Sequence, residues 1–322
     1  MPATTAPSRL GQINAAGDAK ALFLKVFAGE VLTTFRETQV MMDKHLVRTI
    51  THGKSASFPV IGTAATAYHT AGTNILDDAN GLLSKVKKNE KIISIDELLT
   101  SNVFIANIDE AMNHYDVRQP YTEEIGQALA QAWDKNVLQV AVLAARASAT
   151  ITGGDGGTKL LAGPAVETDP MVLAYAIRDA VTELYKKKVP QSATIYCAVR
   201  PTEYMLLTTN LLLISRELGG TGSFENGKIN RVAGATLVMT NNLPSTNLSQ
   251  VTGTNNTYHG DFTNTVAAVW CKGAVGTVKL KDLSLEMEYK IEYKGTLISA
   301  SYAIGHGILR PELAVEISKA ST

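Results

Sequence analysis

The sequence predicts a mixed α+β fold. Two long segments carry apolar side chains at helical spacing, one at residues 121–148 and the other from Asp169 to about Lys188. Thr-, Val- and Ile-rich runs punctuated by glycine and proline lie before, between and after them, which is typical of strands joined by turns. No internal repeat runs along the chain, so a solenoid is not indicated.

Length and composition allow a sizeable core. The 322 residues suffice for one large domain or two ordinary ones, and 45% of them are hydrophobic. Thirty basic residues balance thirty acidic ones, so net charge predicts neither a nucleic-acid-binding nor a membrane-binding protein. No apolar run reaches the roughly 18 residues of a membrane span. Cys197 and Cys271 are far apart, which favours reduced thiols over a disulfide framework or a zinc site.

The sequence predicts a flexible arm at the start of the N-terminal third. Residues 1–16 are small and polar, and a helix is expected to begin near Asp18, a plausible N-cap. Residues 45–95 predict two extended strands joined through a polar tip near 77–85. An isolated hairpin is only marginally stable in water, so this excursion must pack on the rest of the chain or on another chain.

The segment 121–148 is the strongest helix prediction. Thr122 can cap it, and Glu123 and Glu124 would then lie at the positive end of the helix dipole. Its apolar face comprises Ile125, Leu129, Ala132, Trp133, Val137, Val140 and Ala144. The run TGGDGGT then ends the helix.

The second half of the chain combines a helix with several strands. Asp169 or Thr168 can cap a helix whose first residue is Pro170. The predicted elements that follow are a strand at 193–199, a short helix after Pro201, a strand at 235–240 and a mostly extended tail from residue 266.

No motif predicts catalysis. The run GSFENGKI at 222–229 has the glycine and lysine spacing of a phosphate-binding loop, but Ile229 replaces the Ser or Thr that would hold magnesium. Strand signals follow it, so a surface loop is favoured. The run NHYDVR at 113–118 is explained by helix capping and ion pairing. We expect neither an enzyme nor a cofactor nor a metal site, although a metal site built from distant histidines stays open.

Several runs together resemble one protein family. They are AAGDAKALFLKVFAGEVLT at 15–33, GKSASFPVIG at 53–62, AMNHYDVRQPYT at 111–122, KINRVAGATLVMTNNLP at 228–244, and AVGTVKLKDLSLE and YAIGHGILRPE nearer the C-terminus. Their content and order resemble the major capsid proteins of T-seven-type short-tailed bacteriophages, the autographivirus podoviruses. The chain differs from the better-known enteric members at 150–165 and 245–262.

The resemblance implies the Hong Kong 97 capsid fold, an α+β fold with several distinct parts. These would be an N-terminal arm at 1–44, an extended E-loop at 45–95, a peripheral domain at 96–164 with a spine helix at 121–148, an axial domain at 165–265, and a return to the axial and peripheral domains at 266–322.

The resemblance also implies a structural function. Copies of the chain would form the hexamers and pentamers of an icosahedral phage head around double-stranded DNA, bound without sequence specificity. Assembly in the host bacterial cytoplasm would involve a scaffolding protein and a portal protein, with no cofactor and no membrane. The alternatives are an encapsulin-type shell of the same fold and an enzyme on an α+β scaffold.

Contacts between subunits are expected on the E-loop. Ordering its backbone costs roughly 1–2 kcal/mol per residue, which its few large apolar side chains cannot offset within one chain. The candidate contact residues are Lys54, Phe58, Val60 and Tyr68. We expect the loop to become ordered against a neighbouring subunit.

Overall fold

A computed structural model describes residues 39–77, 81–108, 118–210 and 229–320. Within these residues the chain divides into two compact units. The smaller unit comprises the described residues between 100 and 129 and between 283 and 301, and the larger unit comprises the rest. The predicted helix near Asp18 and nearly all of NHYDVR and GSFENGKI lie outside the described residues.

Helices and strands are both present, as the sequence predicts. In chain order they are β1 (Leu46–Thr49), β2 (Ser55–Ile61), β3 (Lys88–Ser94), β4 (Leu99–Ala106), α1 (Arg118–Arg146), β5 (Thr158–Leu161), α2 (Pro170–Lys186), β6 (Ile195–Val199), α3 (Pro201–Leu207), β7 (Arg231–Val232), β8 (Ala235–Met239), β9 (Asn247–Leu248), β10 (Gly260–Asp261), β11 (Thr265–Cys271), β12 (Val275–Lys290), β13 (Gly295–Ile308) and β14 (Ala314–Ser318). Among the described residues, none of the helices is long and apolar enough to cross a membrane.

A six-stranded sheet forms the main core of the larger unit. Its strand order is β5-β14-β11-β6-β8-β7, with β11 antiparallel to both of its neighbours. Every residue of β11 is buried, which fits its nearly unbroken apolar sequence TVAAVWC. Helix α2 covers the sheet with Leu173, Ile177, Ala180 and Leu184, which are all buried in the same cluster.

The observed start of helix α2 agrees with the prediction. The side chain of Asp169 accepts a hydrogen bond from the backbone N–H of Met171 at 2.8 Å, and Pro170 is the first helical residue. Asp169 is therefore the cap, and Thr168 is not.

Helix α1 begins earlier than predicted. It spans Arg118–Arg146, so Thr122 lies inside it and the prediction that Thr122 caps the helix is wrong. Pro120 lies in the first turn, where a proline is tolerated because its missing N–H needs no partner. The predicted apolar face is buried apart from the partly exposed Ala132.

The glycine-rich run after α1 folds back against the end of the helix. A Cβ atom on Gly157 would lie 2.2 Å from the backbone oxygen of Ala144, and the N–H of Gly157 donates to the oxygen of Ala147 at 2.9 Å. Only a residue without a side chain allows this close approach, which explains the glycine at position 157.

Strands, and not a helix, follow the run that resembles a phosphate-binding loop. Strands β7 and β8 pair through the two-residue turn Ala233–Gly234, and both turn residues have positive φ, at 49° and 87°. Ile229, the described residue of that run, is buried, and its N–H donates to the hydroxyl of Tyr204 at 2.9 Å. These features confirm the strand prediction for this segment.

Both cysteines are free and buried in the core. Burial raises the pKa of the Cys197 thiol to about 12 and that of Cys271 to about 11. Both thiols are therefore protonated and weakly nucleophilic near neutral pH, as the apolar runs around them predict.

Candidate subunit-contact surface

A two-stranded hairpin with a long connecting loop lies in the larger unit. Strands β2 and β3 pair antiparallel from Ser55 opposite Ser94 to Ile61 opposite Lys88. Residues 62–77 and 81–87, between the strands, contain neither helix nor strand. The two predicted strands are therefore present as β2 and β3. Strand β1, which lies within the predicted excursion, pairs in parallel with β12 and belongs to another sheet.

The base of the hairpin packs on the chain's own core. Its apolar cluster comprises Ala56, Ile93, Ile95, Val278, Ala303 and Leu309, with Ile50 and Phe58 packed against it. Strand β13 approaches the hairpin closely, since a Cβ atom on Gly305 would lie 1.8 Å from the backbone oxygen of Ser94. The N–H of Asp96 also donates to the oxygen of Ile304 at 3.0 Å. The base is therefore anchored within one subunit.

The four candidate contact residues fall into two environments. Val60 is only 9% exposed, and Phe58 is partly buried beneath the guanidinium of Arg48, 5.5 Å from the ring centroid. Lys54 is exposed, and its backbone oxygen accepts from the N–H of Ile95 at 2.8 Å. Tyr68, in the loop, is 102% exposed. The structure thus places Phe58 and Val60 in the anchored base and leaves Tyr68 uncovered.

The loop exposes more apolar side chains than the sequence analysis singled out. Besides Tyr68, the exposed large apolar residues on the hairpin are Ile61, Ile75, Leu76, Leu83, Val86 and Ile92, of which Leu76 is 77% exposed. Several of them lie in or beside the segment that we predicted as a polar tip. The sequence could have indicated them, because these apolar residues stand in a segment that contains few other apolar residues to bury them. Exposed apolar residues grouped on one feature mark an interaction surface.

The smaller unit carries a second group of exposed apolar side chains. Phe104, Ile108, Tyr289, Ile291 and Tyr293 are all exposed, and the rings of Phe104 and Tyr293 meet edge to face at 6.3 Å between centroids. The sequence analysis did not identify this group, because its members come from two segments that are far apart in the chain.

Two of the histidines, His45 and His306, lie close together in the core. His45 and His306 are fully buried with ring centroids 6.3 Å apart. Nδ1 of His45 hydrogen-bonds the backbone oxygen of Met41, and Nδ1 of His306 hydrogen-bonds the hydroxyl of Thr277, both at 2.7 Å. Within the described ranges, no group of three or more His, Cys, Asp or Glu side chains could hold a metal ion. The pair is therefore part of the core.

Burial keeps both histidines neutral. It lowers the pKa of His45 to about 4, with a smaller contribution from the cation of Lys272. The pKa of His306 is also lowered well below its usual value, first by burial and then by His45. Asp43 opposes the shift at His45, but less strongly than burial acts.

Mild acid should destabilise the subunit through these histidines. Unfolded histidines take up protons below about pH 6.5, whereas the folded ones remain neutral, so stability is lost as pH falls from about 6.5 toward 4. For His45 alone the full loss is roughly 3 kcal/mol. Urea unfolding followed by the fluorescence of the buried tryptophans should show it between about pH 7 and pH 5.

A matched pair of variants checks the origin of this acid effect. His45→Gln should flatten the dependence on pH, whereas His259→Gln, at an exposed position, should leave it unchanged. A pH dependence that is the same in both variants would contradict the assignment to the buried pair.

Comparison with known proteins identifies the family. The model of the Gp10A-like major capsid protein family matches residues 57–318. The chain belongs to this family. The major capsid protein of Escherichia phage T7 is 38% identical over 324 residues, which cover 93% of this chain and 92% of the relative. That of Enterobacteria phage T3 is 37% identical over 334 residues, which cover 94% and 93%.

A solved capsid structure agrees with this assignment. The capsid structure of the cyanophage P-SCSP1u matches with a TM-score of 0.79 and 42% identity, over 99% of this chain and 100% of that chain. The Hong Kong 97 type of α+β fold is thereby confirmed. The chain is a structural major capsid protein of the phage virion and not an enzyme, and the phage capsid is favoured over the encapsulin-type alternative.

Proposed function

We propose that copies of this chain form the hexamers and pentamers of an icosahedral phage head that encloses double-stranded DNA. Membership of the capsid family is the observation that carries the proposal. The hairpin supplies a physical reason for association, because an anchored base presents a loop with several exposed apolar side chains.

The parts of the chain then take the roles that the capsid fold assigns them. Residues 1–44 form an arm, residues 45–95 form the E-loop and residues 96–164 form a peripheral domain whose spine helix is α1. Residues 165–265 form an axial domain, and residues 266–322 return to the axial and peripheral domains.

The remaining partners follow from the same proposal. A scaffolding protein guides assembly in the host bacterial cytoplasm, and a portal protein admits the DNA. Contacts with DNA are independent of its sequence. A net charge of zero suits this arrangement, since a strongly basic inner wall would bind the DNA backbone tightly while packaging proceeds.

Expression of the full chain with and without the scaffolding protein of its phage tests the proposal. Cryo-electron microscopy of the purified material should show closed shells built from rings of six and five subunits when the scaffolding protein is present. Soluble monomers or irregular aggregates under both conditions would contradict it.

Substitutions in the loop and in the base of the hairpin should affect different properties, namely shell assembly and subunit stability. Tyr68→Ser combined with Leu76→Ser removes exposed apolar area, so it should reduce the yield of shells about tenfold or more while leaving the thermal stability of the free subunit unchanged. Val60→Ala, in the anchored base, should instead lower subunit stability by about 1–2 kcal/mol.

Hydrogen exchange provides a second measurement on the same loop. Amides of residues 62–77 should exchange rapidly in free subunits and slowly in shells. Equal protection in both states would mean that the loop is ordered without a neighbour, and its role in subunit contact would be wrong.

A further inference from the structure

A basic cleft of about 520 Å³ lies in the larger unit. Its walls come from the hairpin loop, the glycine-rich turn after α1, the residues after α2, and the segment after β13. Cationic side chains from three of these segments line it, namely Lys85, Lys87, Lys187, Lys188 and Arg310. Two carboxylates, Asp155 and Glu312, also line it, so positive charge exceeds negative charge locally in a chain whose net charge is zero.

Two of the lysines are held in place by the glycine-rich turn. Nζ of Lys87 donates to the backbone oxygen of Thr152 at 3.1 Å, and Nζ of Lys187 donates to that of Gly156 at 2.7 Å. These contacts fix the two ammonium groups at the wall of the cleft. Because they are positioned before any ligand arrives, less side-chain entropy is lost on binding.

The two carboxylates do not balance the cationic side chains that line the cleft. Arg310 donates to Glu312 at 2.9 Å, so one of the two carboxylates already has a partner. Lys187 is partly buried, and this burial lowers its pKa although Asp155, Glu183 and Glu312 act in the opposite direction. A cation in that position gains stability from an additional anion in the cleft.

We propose that this cleft binds the phosphate groups of a polyanion. A phosphate group places negative charge and several acceptor oxygens in a small volume, which suits several ammonium groups around one cleft. The phosphates could come from a free oligophosphate or from a nucleic-acid backbone, and both sources share this chemistry.

Titration of the purified, unassembled full chain with tripolyphosphate tests the proposal. Isothermal calorimetry at low ionic strength should show saturable binding that weakens as salt is added. Lys188→Gln and Arg310→Gln should each weaken binding roughly threefold to tenfold, because each removes one charge from the wall. Lys186→Gln is the matched control, since Lys186 lies at the end of α2, pairs with Glu183 at 2.6 Å and does not line the cleft.

A parallel titration with a short duplex DNA distinguishes the sources. Binding of the duplex that weakens in the Lys188 and Arg310 variants assigns the cleft to a nucleic-acid backbone. Binding of tripolyphosphate alone, with the same variant pattern, assigns it to a small anion. The absence of saturable binding for both, or equal affinities in the cleft variants and in Lys186→Gln, would overturn the proposal. Assembly of shells is measured separately by microscopy. A failure of anion binding can therefore be told apart from a failure of the proposed function.

Discussion

Arg146→Met should lower the free energy of unfolding by roughly 3–5 kcal/mol. Glu316 lies in β14 and its side chain is fully buried. Its carboxylate accepts from Nε and Nη2 of Arg146 and from the hydroxyl of Thr265, each at 2.6 Å. Removal of the guanidinium leaves a carboxylate inside the core without its cation, which costs more than the loss of an exposed ion pair.

Urea unfolding of the wild type and the variant measures this loss. Arg310→Met is the matched control, because Arg310 pairs with Glu312 at the surface, and it should cost less than about 1 kcal/mol. The double variant Arg146→Met/Glu316→Leu should recover much of the stability, since it removes both charges. If Arg146→Met stayed within about 1 kcal/mol of wild type, the buried pair would not have the role described.

Gly305→Ala should be nearly as damaging, at about 3 kcal/mol or more. The added Cβ would lie 1.8 Å from the backbone oxygen of Ser94 and 2.9 Å from Nδ2 of Asn256. The backbone of Ser94 cannot move aside as a flexible side chain could. The added methyl group therefore forces β13 and the end of β3 apart. The expected result is lower stability together with faster hydrogen exchange in β3.

Gly260→Ala is the control for this substitution. Its added Cβ would meet only ordinary contacts at 3.5 Å, with side chains of Leu143 and Phe262. Its stability should stay close to that of wild type. Comparable losses in the two variants would show that the cost comes from glycine replacement in a strand and not from the approach of β13 to the hairpin.

Local patterns along the chain predicted much of the fold. Asp169 and Pro170 mark the start of α2 because a cap and a first-turn proline act over a few residues. The apolar periodicity of α1 and the strand signals after the run GSFENGKI succeeded for the same reason. Thr122 failed as a cap because the first turn of α1 tolerates a proline.

Long-range contacts could not be predicted in this way. Arg146 and Glu316 are 170 residues apart in sequence, and nothing local to either residue indicates the other. The packing of Phe58 on its own chain likewise depends on Val278, Ala303 and Leu309, which come from distant segments. The hairpin was therefore recognisable from sequence, whereas the division between its anchored base and its uncovered loop was not.

The anchored base and the uncovered loop of the hairpin are constrained by different requirements. Residues of the base, such as Ala56 and Ile93, are constrained by the folding of each single subunit. Exposed residues of the loop, such as Tyr68 and Leu76, contribute little to that folding and on the proposed function are constrained only where subunits meet. On that proposal, the strength of the shell can change through loop substitutions during evolution, or by design, while every subunit still folds.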